Sequence, residues 1–389
     1  MTQAYATFFS APFNDWGLGD VQKFIYCGAM TNGPFDTIRT ALHFSPKTWL
    51  ITGVAGFIGS HLLDALLTLD QIVIGIDNLS TGSRRNLEDV KANQTLLRWK
   101  NFTFIEGDIR DPDQCQKIMN FKDEKGTHLK IDILLHHAAM GSVAQSMIDP
   151  ITTHQVNVDG FLNLLVAARH ARMSRIVYAS SSAVYGDDET LPKIESVTGQ
   201  ALSPYALSKQ MNEQHADLFA RVYGLNTIGL RYFNVYGPRQ DPQGAYAAVI
   251  PKWINTLIQK NPITIHGTGE TSRDFCDVSD VVAANILAAC APLMGHHVYN
   301  IGTGTETTLN DLSGILKDLL DTGTPVIHDD FRSGDIFRSV PNISRAEKDI
   351  GYRPTVSIRD GLQKTVTYYT CREETTDRPH SNTQQKTAS

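Results

Sequence analysis

A tyrosine and a lysine four residues apart, Tyr205 and Lys209, are the side chains of this sequence best suited to move a proton. They lie in SPYALSKQMNEQHADLFARVYG (203–224), whose apolar positions recur at helical spacing, so both are expected on one helix face. A phenol with a reference pKa near ~10 is a weak base at neutral pH. A nearby cation favours the phenolate, and a shift of roughly 3 units, about 4 kcal/mol, would make Tyr205 a general base.

A serine cluster precedes this pair and could share its chemistry. The run RIVYASSS (175–182) is typical of a buried strand, and it ends in Ser180, Ser181 and Ser182. A hydroxyl at the end of a strand can hydrogen-bond a reacting oxygen and relay its proton to a phenolate. Serine-rich strand ends are also ordinary turn formers, so the prediction depends on the order in which the motifs occur.

A glycine turn, TGVAGFIG (52–59), follows the strand-like run TWLITG (48–53) and opens an apolar helical stretch. Gly53 permits a sharp turn, Gly56 lets backbone approach a pyrophosphate, and Gly59 allows close packing of helix on strand. With the helix N-terminus at Phe57 and Ile58 facing the phosphates, the turn predicts a dinucleotide site.

Acidic and small residues at the next strand ends complete this site. Asp77 ends IVIGID (72–77), where it can accept hydrogen bonds from an adenosine ribose and would repel a 2′-phosphate, so NAD is the expected cofactor. Asp108 and Ile109 follow the third strand and Ala138-Ala139 the fourth. For Asp108 a helix N-cap is an equally good interpretation.

Short β-branched runs alternate with amphipathic stretches from residue 48 to 235, which predicts the fold class. The runs are TWLITG, IVIGID, FTFIEGD (102–108), ILLHHAA (133–139), RIVYASSS and TIGLRYFNV (227–235). Nearly continuous apolar strands separated by helices indicate an α/β fold, a doubly wound parallel sheet covered on both faces. After Tyr236 the rhythm loosens, and a smaller C-terminal α/β lobe is expected there.

The chain therefore divides into four predicted parts. Residues 1–46 form an N-terminal extension without sustained periodicity, and 47–236 form the dinucleotide-binding domain. Residues 237–369 are assigned mainly to a substrate lobe, with 274–300 returning to the first domain. The polar residues 370–389 are expected to be a disordered tail.

Composition excludes several classes of protein. A formal charge of −6 without a basic block argues against nucleic acid or a membrane surface as partner. The five cysteines are widely spaced and free of CxxC or Cys/His ligand spacing, so we expect no metal and a reducing, cytoplasmic setting. No apolar run reaches the ~20 residues of a membrane span.

From about Lys47 to Tyr369 the chain resembles the extended short-chain dehydrogenase/reductase family, which has a Rossmann-type sheet. Its motifs are similar to those of UDP-sugar C4-epimerases, and most similar to the bacterial UDP-N-acetylglucosamine 4-epimerases of surface-polysaccharide synthesis. The motifs are TGVAGFIG, HHAAMGSV (136–143), SSSAVYG (180–186), SPYALSK, LRYFNVYGPRQDP (230–242), GETSRDF (269–275) and FRSGD (331–335).

The resemblance implies a reaction. Tyr205 removes the C4-hydroxyl proton while hydride passes from C4 to NAD, the 4-keto sugar turns over, and hydride returns to its other face. NAD is therefore retained and recycled. The family's catalytic hydroxyl corresponds to Ser181, with Ser182 beside it as a substrate contact or alternative catalyst.

The resemblance also implies a substrate site and a homodimer. Asn234 and the arginines Arg273 and Arg332 match phosphate-binding positions, and Asp335 orients the ribose or an arginine. Small Ser339 at the family's gate position favours UDP-GlcNAc/UDP-GalNAc. Helices at 154–171 and 202–223 are the candidates for a four-helix dimer interface. Ser142, Ala247, Val249 and Ile265 are further expected substrate contacts.

Other functions remain open at this stage. UDP-glucose/UDP-galactose and UDP-glucuronate 4-epimerases share the reaction type. Dehydratases and decarboxylases of this family carry an acid just after the strand-five hydroxyl, where this chain has Ser182-Ala183. An NAD-binding scaffold is disfavoured because Tyr205 and Lys209 are both present.

Overall fold

The computed structural model describes residues 33–123, 125–242, 247–331 and 337–376, with side chains as far as Arg372. The chain forms two compact units. Unit 1 comprises the described residues up to Val235 together with Arg273–Glu306 and Arg338–Thr355. Unit 2 comprises the described residues within Tyr236–Ser272 and Thr307–Phe337 and those from Val356 onward.

The described elements alternate along the chain as the apolar runs predict. The helices are α1 (Pro34–Phe44), α2 (Phe57–Thr68), α3 (Arg84–Asn93), α4 (Leu96–Trp99), α5 (Pro112–Met119), α6 (Val143–Ile148), α7 (Pro150–His154), α8 (Gly160–His170), α9 (Pro204–Tyr223), α10 (Val249–Ile258), α11 (Val278–Cys290), α12 (Leu309–Leu319), α13 (Ser344–Ile350) and α14 (Ile358–Thr376). The strands are β1 (Thr48–Thr52), β2 (Ile72–Asp77), β3 (Phe102–Glu106), β4 (Ile133–His136), β5 (Arg175–Ser181), β6 (Thr227–Tyr232), β7 (Val235–Tyr236), β8 (Ile263–His266), β9 (Ser272–Arg273), β10 (Cys276–Asp277), β11 (His296–Ile301), β12 (Thr307–Thr308), β13 (Val326–Asp329) and β14 (Arg338–Ser339).

Unit 1 is built on a parallel sheet in the order β11-β6-β5-β4-β1-β2-β3. The strand order reverses between β1 and β4, and ligands of open α/β sheets bind outside the carboxyl ends of the strands at such a point. The Rossmann-type doubly wound sheet is thus confirmed. Its last strand, β11, is the one that the sequence runs did not predict.

Two apolar cores cover the faces of this sheet, because successive residues of a strand point to opposite sides. Trp49 and Ile51 belong to the core that contains α2 and α11. Leu50, between them, belongs to the core that contains α8 and α9. Every residue of β1 is buried, as expected for a central parallel strand.

The predicted N-terminal extension is partly an ordered helix. In α1, which begins with Pro34 at its first turn, Ile38 and Leu42 are buried in the core of unit 1. Buried Gln71 connects the helix to β1: its amide donates to Leu42 O (3.0 Å), and its carbonyl accepts from the Trp49 indole (3.2 Å). Two apolar positions four residues apart are too short a pattern to predict a helix, whereas tertiary packing stabilises it.

The structure also differs from the predicted domain boundaries. Unit 1 regains Arg273–Glu306, and in addition Arg338–Thr355, which was expected in the substrate lobe. Ala346, Ile350 and Tyr352 of that segment are buried in the core of unit 1. The periodicity of a short helix such as α13 shows which face is apolar but not which core it joins.

Unit 2 contains α10, α12, α14 and a two-stranded parallel sheet of β8 and β13. Helix α14 runs to Thr376, so the start of the predicted disordered tail is helical. Adding residues to an existing helix costs far less than nucleating one, so polar residues can extend it. In the part of the chain described by the structure, no helix is long and apolar enough to cross a membrane.

Candidate active site

The glycine turn connects β1 to α2 through backbone contacts so close that side chains are excluded. Gly53 has a φ of +71°, and a Cβ there would lie 2.6 Å from Ala138 N. A Cβ on Gly59 would lie 2.0 Å from Gly53 O, which brings helix and turn into direct contact. Gly56 is the N-cap of α2, where no side chain among the described residues caps the helix. The N-terminal amides of Phe57 and Ile58 are thus suited to phosphate, and the turn fits a dinucleotide.

Thr52, which was not among the predicted site residues, ties this turn to the end of β4. Its hydroxyl lies 2.7 Å from His136 Nδ1 and accepts hydrogen bonds from the His137 and Ala138 amides (both 3.2 Å). Ala138 is thereby fixed behind the glycine turn, and Ala139, half-buried, follows it. A polar residue at the end of a fully apolar strand is the sequence signal that could have indicated this role.

Asp77 ends β2 beside the glycine turn, as predicted. Its carboxylate accepts hydrogen bonds from the Ala55 amide (2.9 Å) and the Leu79 amide (2.8 Å). Burial raises the pKa of Asp77, and these two amide hydrogen bonds oppose that rise. Each carboxylate oxygen thus already accepts one backbone hydrogen bond, and the ribose contact of Asp77 stays a prediction.

Asp108 and Ile109 follow β3 at the same edge of the sheet. The Arg110 guanidinium binds the Asp108 carboxylate (Nη2 to Oδ2 2.6 Å) and lowers the pKa of Asp108 to about 2, with help from the Asn78 amide. The helix N-cap here is Asp111 and not Asp108. The Ile109 side chain is buried against Gly160, and the Ile109 carbonyl accepts a hydrogen bond from the Asn163 side chain (3.1 Å).

The predicted proton-transfer residues meet at the carboxyl end of β5. Ser181 ends the strand, and its hydroxyl lies close enough to the Tyr205 phenol to lower the pKa of that phenol. Tyr205 lies in the first turn of α9, which Ser203 caps at the Ala206 amide. The Lys209 ammonium, one turn later, lies 5.8 Å from the centroid of the Tyr205 ring and donates to Ala179 O (2.8 Å).

Burial dominates the ionisation of both groups. It raises the pKa of Tyr205, and the Ser181 hydrogen bond opposes that rise. Burial lowers the pKa of Lys209 to about 8, and the Glu213 carboxylate opposes that change. The predicted fall in the pKa of Tyr205 is therefore not present in the protein alone. A positive ligand beside the phenol would favour its ionised form.

Ser182 begins a 3₁₀ turn (Ser182–Tyr185) immediately after Ser181. The Ser181 hydroxyl also accepts a hydrogen bond from the Ala183 amide (3.1 Å), so it has contacts with both the turn and the phenol. Ser142 caps α6 by accepting from the Gln145 amide (3.1 Å). Among these serines, Ser181 is the one that lowers the pKa of Tyr205.

Three predicted substrate residues of unit 1 converge on Asp274. The Asn234 amide donates to Asp274 O (2.9 Å), and the Asp274 amide donates to Ser339 O (3.1 Å). Arg273 is the neighbouring residue on β9. Asn234 has a φ of +25°, a strained backbone conformation of the kind that clusters at binding sites.

The remaining predicted substrate residues lie in unit 2 or outside the described residues. Ala247 precedes α10 and Val249 begins it, and this helix packs against β8, which contains buried Ile265. Arg332 and Asp335 lie outside the residues that the structure describes.

A buried asparagine that the sequence analysis missed links the site to its supporting helices. Asn157 lies in a π-helical turn (Gln155–Asp159) between α7 and α8. Its side chain bonds both backbone groups of Met140 (2.8 and 3.1 Å) and donates to the Ser208 hydroxyl (3.0 Å). π-turns are frequent at functional sites. The polar neighbours Gln155 and Asp159 leave no sequence signal that singles out Asn157.

Metal ligands are not part of this arrangement as far as the structure describes it. Within residues 33–123, 125–242, 247–331 and 337–376, no group of three or more His, Cys, Asp or Glu side chains could hold a metal ion. The chemistry that the described residues can perform is proton transfer between a phenol, a hydroxyl and a bound alcohol.

Comparison with known proteins agrees with this geometry. Residues 49–302 match the model of the NAD dependent epimerase/dehydratase family. The chain is 35% identical to the UDP-glucose 4-epimerase of Mycolicibacterium smegmatis, over 82% of this chain and 97% of that protein.

Two solved structures extend the comparison. The UDP-N-acetylglucosamine 4-epimerase of Methanobrevibacter ruminantium M1, in complex with UDP-N-acetylmuramic acid, is 37% identical with a TM-score of 0.76, and covers 84% of this chain and 99% of that one. The dTDP-glucose 4,6-dehydratase DesIV of Streptomyces venezuelae, with NAD bound, is 31% identical with a TM-score of 0.74, and covers 84% and 98%.

Proposed function

Because this chain belongs to the NAD dependent epimerase/dehydratase family, we propose that it interconverts UDP-N-acetylglucosamine and UDP-N-acetylgalactosamine by inverting C4. It is a UDP-sugar 4-epimerase by its similarity to curated and structurally solved members of that type. The observation that carries the proposal is the Tyr205 phenol beside the Ser181 hydroxyl, one helical turn from Lys209.

Each of these side chains has a role that its contacts support. Tyr205 accepts the proton of the C4 hydroxyl, and Ser181 holds the same oxygen and relays the proton. Lys209 favours the phenolate by its charge. The glycine turn with Gly53, Gly56 and Gly59 would hold NAD, whose nicotinamide would supply a reversible hydride acceptor for C4. The 4-keto sugar turns between these two steps while its diphosphate stays bound.

We propose that Asn234 and Arg273 contact the diphosphate of the substrate. The Asn234 side chain is hydrogen-bonded to the Asp274 backbone, and Arg273 directly precedes Asp274. The Asp274 carboxylate is itself anchored by the amides of Thr303 (2.9 Å) and Gly304 (2.6 Å) after β11. Arg332, Asp335 and Ser142 are proposed as further contacts on the resemblance alone. So are Ala247, Val249 and Ile265 for the uridine end.

Ser339 supports the choice of the acetamido sugars. A serine is small enough to leave room for a 2-N-acetyl group, whereas a bulky residue at the same place would overfill the pocket at a cost of ~1–3 kcal/mol. UDP-glucose and UDP-galactose, which lack that group, are expected to react as well but less efficiently.

Dehydration is the second candidate, because a dTDP-glucose 4,6-dehydratase has the same fold and similar coverage. Elimination needs an acid to protonate the leaving hydroxyl. The positions after Ser181 hold Ser182 and Ala183, and both belong to the 3₁₀ turn, so neither supplies one. The same argument disfavours the decarboxylases of the family.

A substrate panel tests the proposal. Purified protein, without added cofactor, is incubated separately with UDP-GlcNAc, UDP-glucose and UDP-glucuronate, and the products are separated by chromatography. We expect the highest kcat/KM for UDP-GlcNAc, and one equivalent of NAD released on denaturation. A 4-keto-6-deoxy product would identify a dehydratase, and conversion of none of the three would reject the assignment.

A homodimer is proposed through helix α9 and the helices that pack beside it. The apolar side chains Leu207, Leu218 and Val222 of α9 are exposed, with spacings of eleven and four residues that place them along one face. Helices α6 and α7, which pack against α9, expose Met147 and Ile151. Apolar stripes of this kind mark helix–helix interfaces. Light scattering should give twice the 43.0 kDa chain mass.

A cytoplasmic, reducing setting is proposed from the cysteines. Among the described residues, Cys115, Cys276 and Cys290 are free thiols. Structural disulfides are usual in oxidising compartments and rare in reducing ones.

A further inference from the structure

Glu213 lies one turn after Lys209 on α9, where its carboxylate joins three elements. The Ser180 hydroxyl of β5 donates to Oε1 (2.6 Å). The Arg231 guanidinium of β6 donates to both oxygens, Nε to Oε1 (2.9 Å) and Nη2 to Oε2 (2.7 Å). The helix that carries Tyr205 is thus fastened to the strand that carries Ser181 by charge-assisted bonds.

Arg231 is held as firmly as the carboxylate that it binds. Its side chain is 4% exposed, and its third nitrogen donates to the Tyr185 hydroxyl (3.0 Å) and to Glu195 O (3.1 Å). The Tyr185 hydroxyl in turn donates to the side-chain oxygen Oδ1 of Asn300 (2.6 Å). We call Glu213, Arg231, Ser180 and Tyr185 the Glu213 cluster.

Stability alone does not account for this cluster. A buried ion pair is often no more stabilising than apolar residues of the same volume, because desolvation offsets the attraction. What the pair does supply is a fixed geometry and a negative charge of known position. The Glu213 carboxylate that carries this charge belongs to the residue one helical turn after Lys209.

The surroundings of Lys209 show what that charge does. The ammonium faces the Ala179 carbonyl on β5 and the Tyr205 ring on its own helix. At the end of β4 the ammonium faces His136 and His137. Burial lowers the pKa of both imidazoles, so neither carries a charge near neutral pH. Glu213 is the carboxylate that opposes the effect of burial on Lys209.

We propose that Glu213 is a positioning residue for the epimerisation: its carboxylate places a negative charge one helical turn from Lys209 and ties the Ser181 strand end to the helix of Tyr205. This inference rests on the proposed function, since it acts through Tyr205, Lys209 and Ser181. Glu213 itself is proposed to contact neither the cofactor nor the substrate.

The test is the pH profile of kcat for Glu213→Gln, which keeps the size and the hydrogen-bond acceptor but removes the charge. The Lys209 ammonium then loses its negative neighbour and deprotonates at lower pH. The alkaline limb of the profile should move down by about 1 unit, so that kcat above the limb falls about tenfold. KM for the UDP-sugar and the NAD content should stay near the parent values.

Two further variants control for charge and for shape. Asp217→Asn removes the same charge from the same helix, at an exposed position paired with Arg221 (2.9 Å), and should leave the limb in place. Glu213→Asp keeps the charge but shortens the reach, so it should lower kcat and leave the limb in place. If Glu213→Gln does not fold, the neutral pair Glu213→Gln/Arg231→Gln avoids an unpaired buried guanidinium and should show the same limb shift.

The inference is overturned if the alkaline limb of the kcat profile stays in place in folded Glu213→Gln or in folded Glu213→Gln/Arg231→Gln. A lower Tm in these variants would not change that conclusion. Failure of the proposed function would show differently. In that case Tyr205→Phe would keep the parent activity, whatever the behaviour of the Glu213 variants.

Discussion

The glycine turn and the Glu213 cluster lie in the same unit but are built in opposite ways. The turn is positioned by backbone contacts, with Gly59 so close to Gly53 that a Cβ would lie 2.0 Å from its carbonyl oxygen. The cluster is positioned by buried charged and polar side chains, with Arg231 bound to Glu213, Tyr185 and a backbone carbonyl.

This difference has a physical reason. A phosphate is recognised by backbone amides and a helix N-terminus, which need space and no side chain. Proton transfer needs specific side chains held at specific ionisation states, and these have to be kept in place by further polar groups. Changes in the turn should therefore affect cofactor binding, whereas changes at the tyrosine should affect chemistry alone.

The largest effect is expected for Tyr205→Phe, which separates chemistry from cofactor binding. Loss of the phenol should lower kcat about 1,000-fold, or about 4 kcal/mol, because Tyr205 is the group proposed to accept the proton. NAD content and Tm should stay close to the parent. Tyr223→Phe, at an exposed position on the same helix, is the matched control and should retain full kcat.

Next in size is Gly59→Ala, which tests the other side of the comparison. The added methyl group meets backbone, so α2 has to shift, at a cost of about 3 kcal/mol and with loss of bound NAD. Denaturant unfolding and NAD content measure the two effects. Gly314→Ala on exposed α12, where a Cβ meets nothing within 4 Å, should instead stabilise by about 0.5–1 kcal/mol. Equal Tm values for parent and Gly59→Ala would contradict the close contact.

The smallest effect is expected in the pH dependence of stability. It involves His136 at the end of β4, His137 directly after it, and His296 at the start of β11. Burial lowers the pKa of His137 to about 3 and that of His296 to about 4, and it holds the pKa of His136 well below its usual range. Unfolded histidines bind a proton below pH ~6.5, whereas these do not until pH is much lower. Stability should therefore fall as pH drops from about 6.5 toward 4.

The variant His137→Leu removes one of these proton-binding imidazoles. Over that window it should reduce the slope of unfolding free energy against pH by about 1.4 kcal/mol per unit. Asp274, whose pKa burial raises to about 6, acts in the opposite direction and is unchanged in the variant. Urea unfolding at pH 5 and pH 7 measures the slope, and identical slopes in parent and variant would show that His137 takes up its proton in the folded state.

Much of the site could be predicted because it is encoded locally. The glycine spacing, Asp77 at the end of β2 and the four-residue spacing of Tyr205 and Lys209 each need only one element and its neighbour. Thr52, Asn157 and Glu213 were missed because their roles depend on partners far away in sequence. The Glu213 carboxylate meets residues 33 and 18 positions away, and Thr52 meets His136 84 positions away.

The sequence by itself determined the alternation of strands and helices, the order of the motifs and the placement of Tyr205 and Lys209 on one helix, since each follows from spacing along one or two elements. Tertiary structure alone decided that α1 and residues 338–355 join unit 1, that Ser181 is the serine that acts on the Tyr205 phenol, and that Glu213 is paired with Arg231. The physical reason is that packing and buried hydrogen bonds join residues across the whole chain, and spacing along a strand or helix carries no record of them.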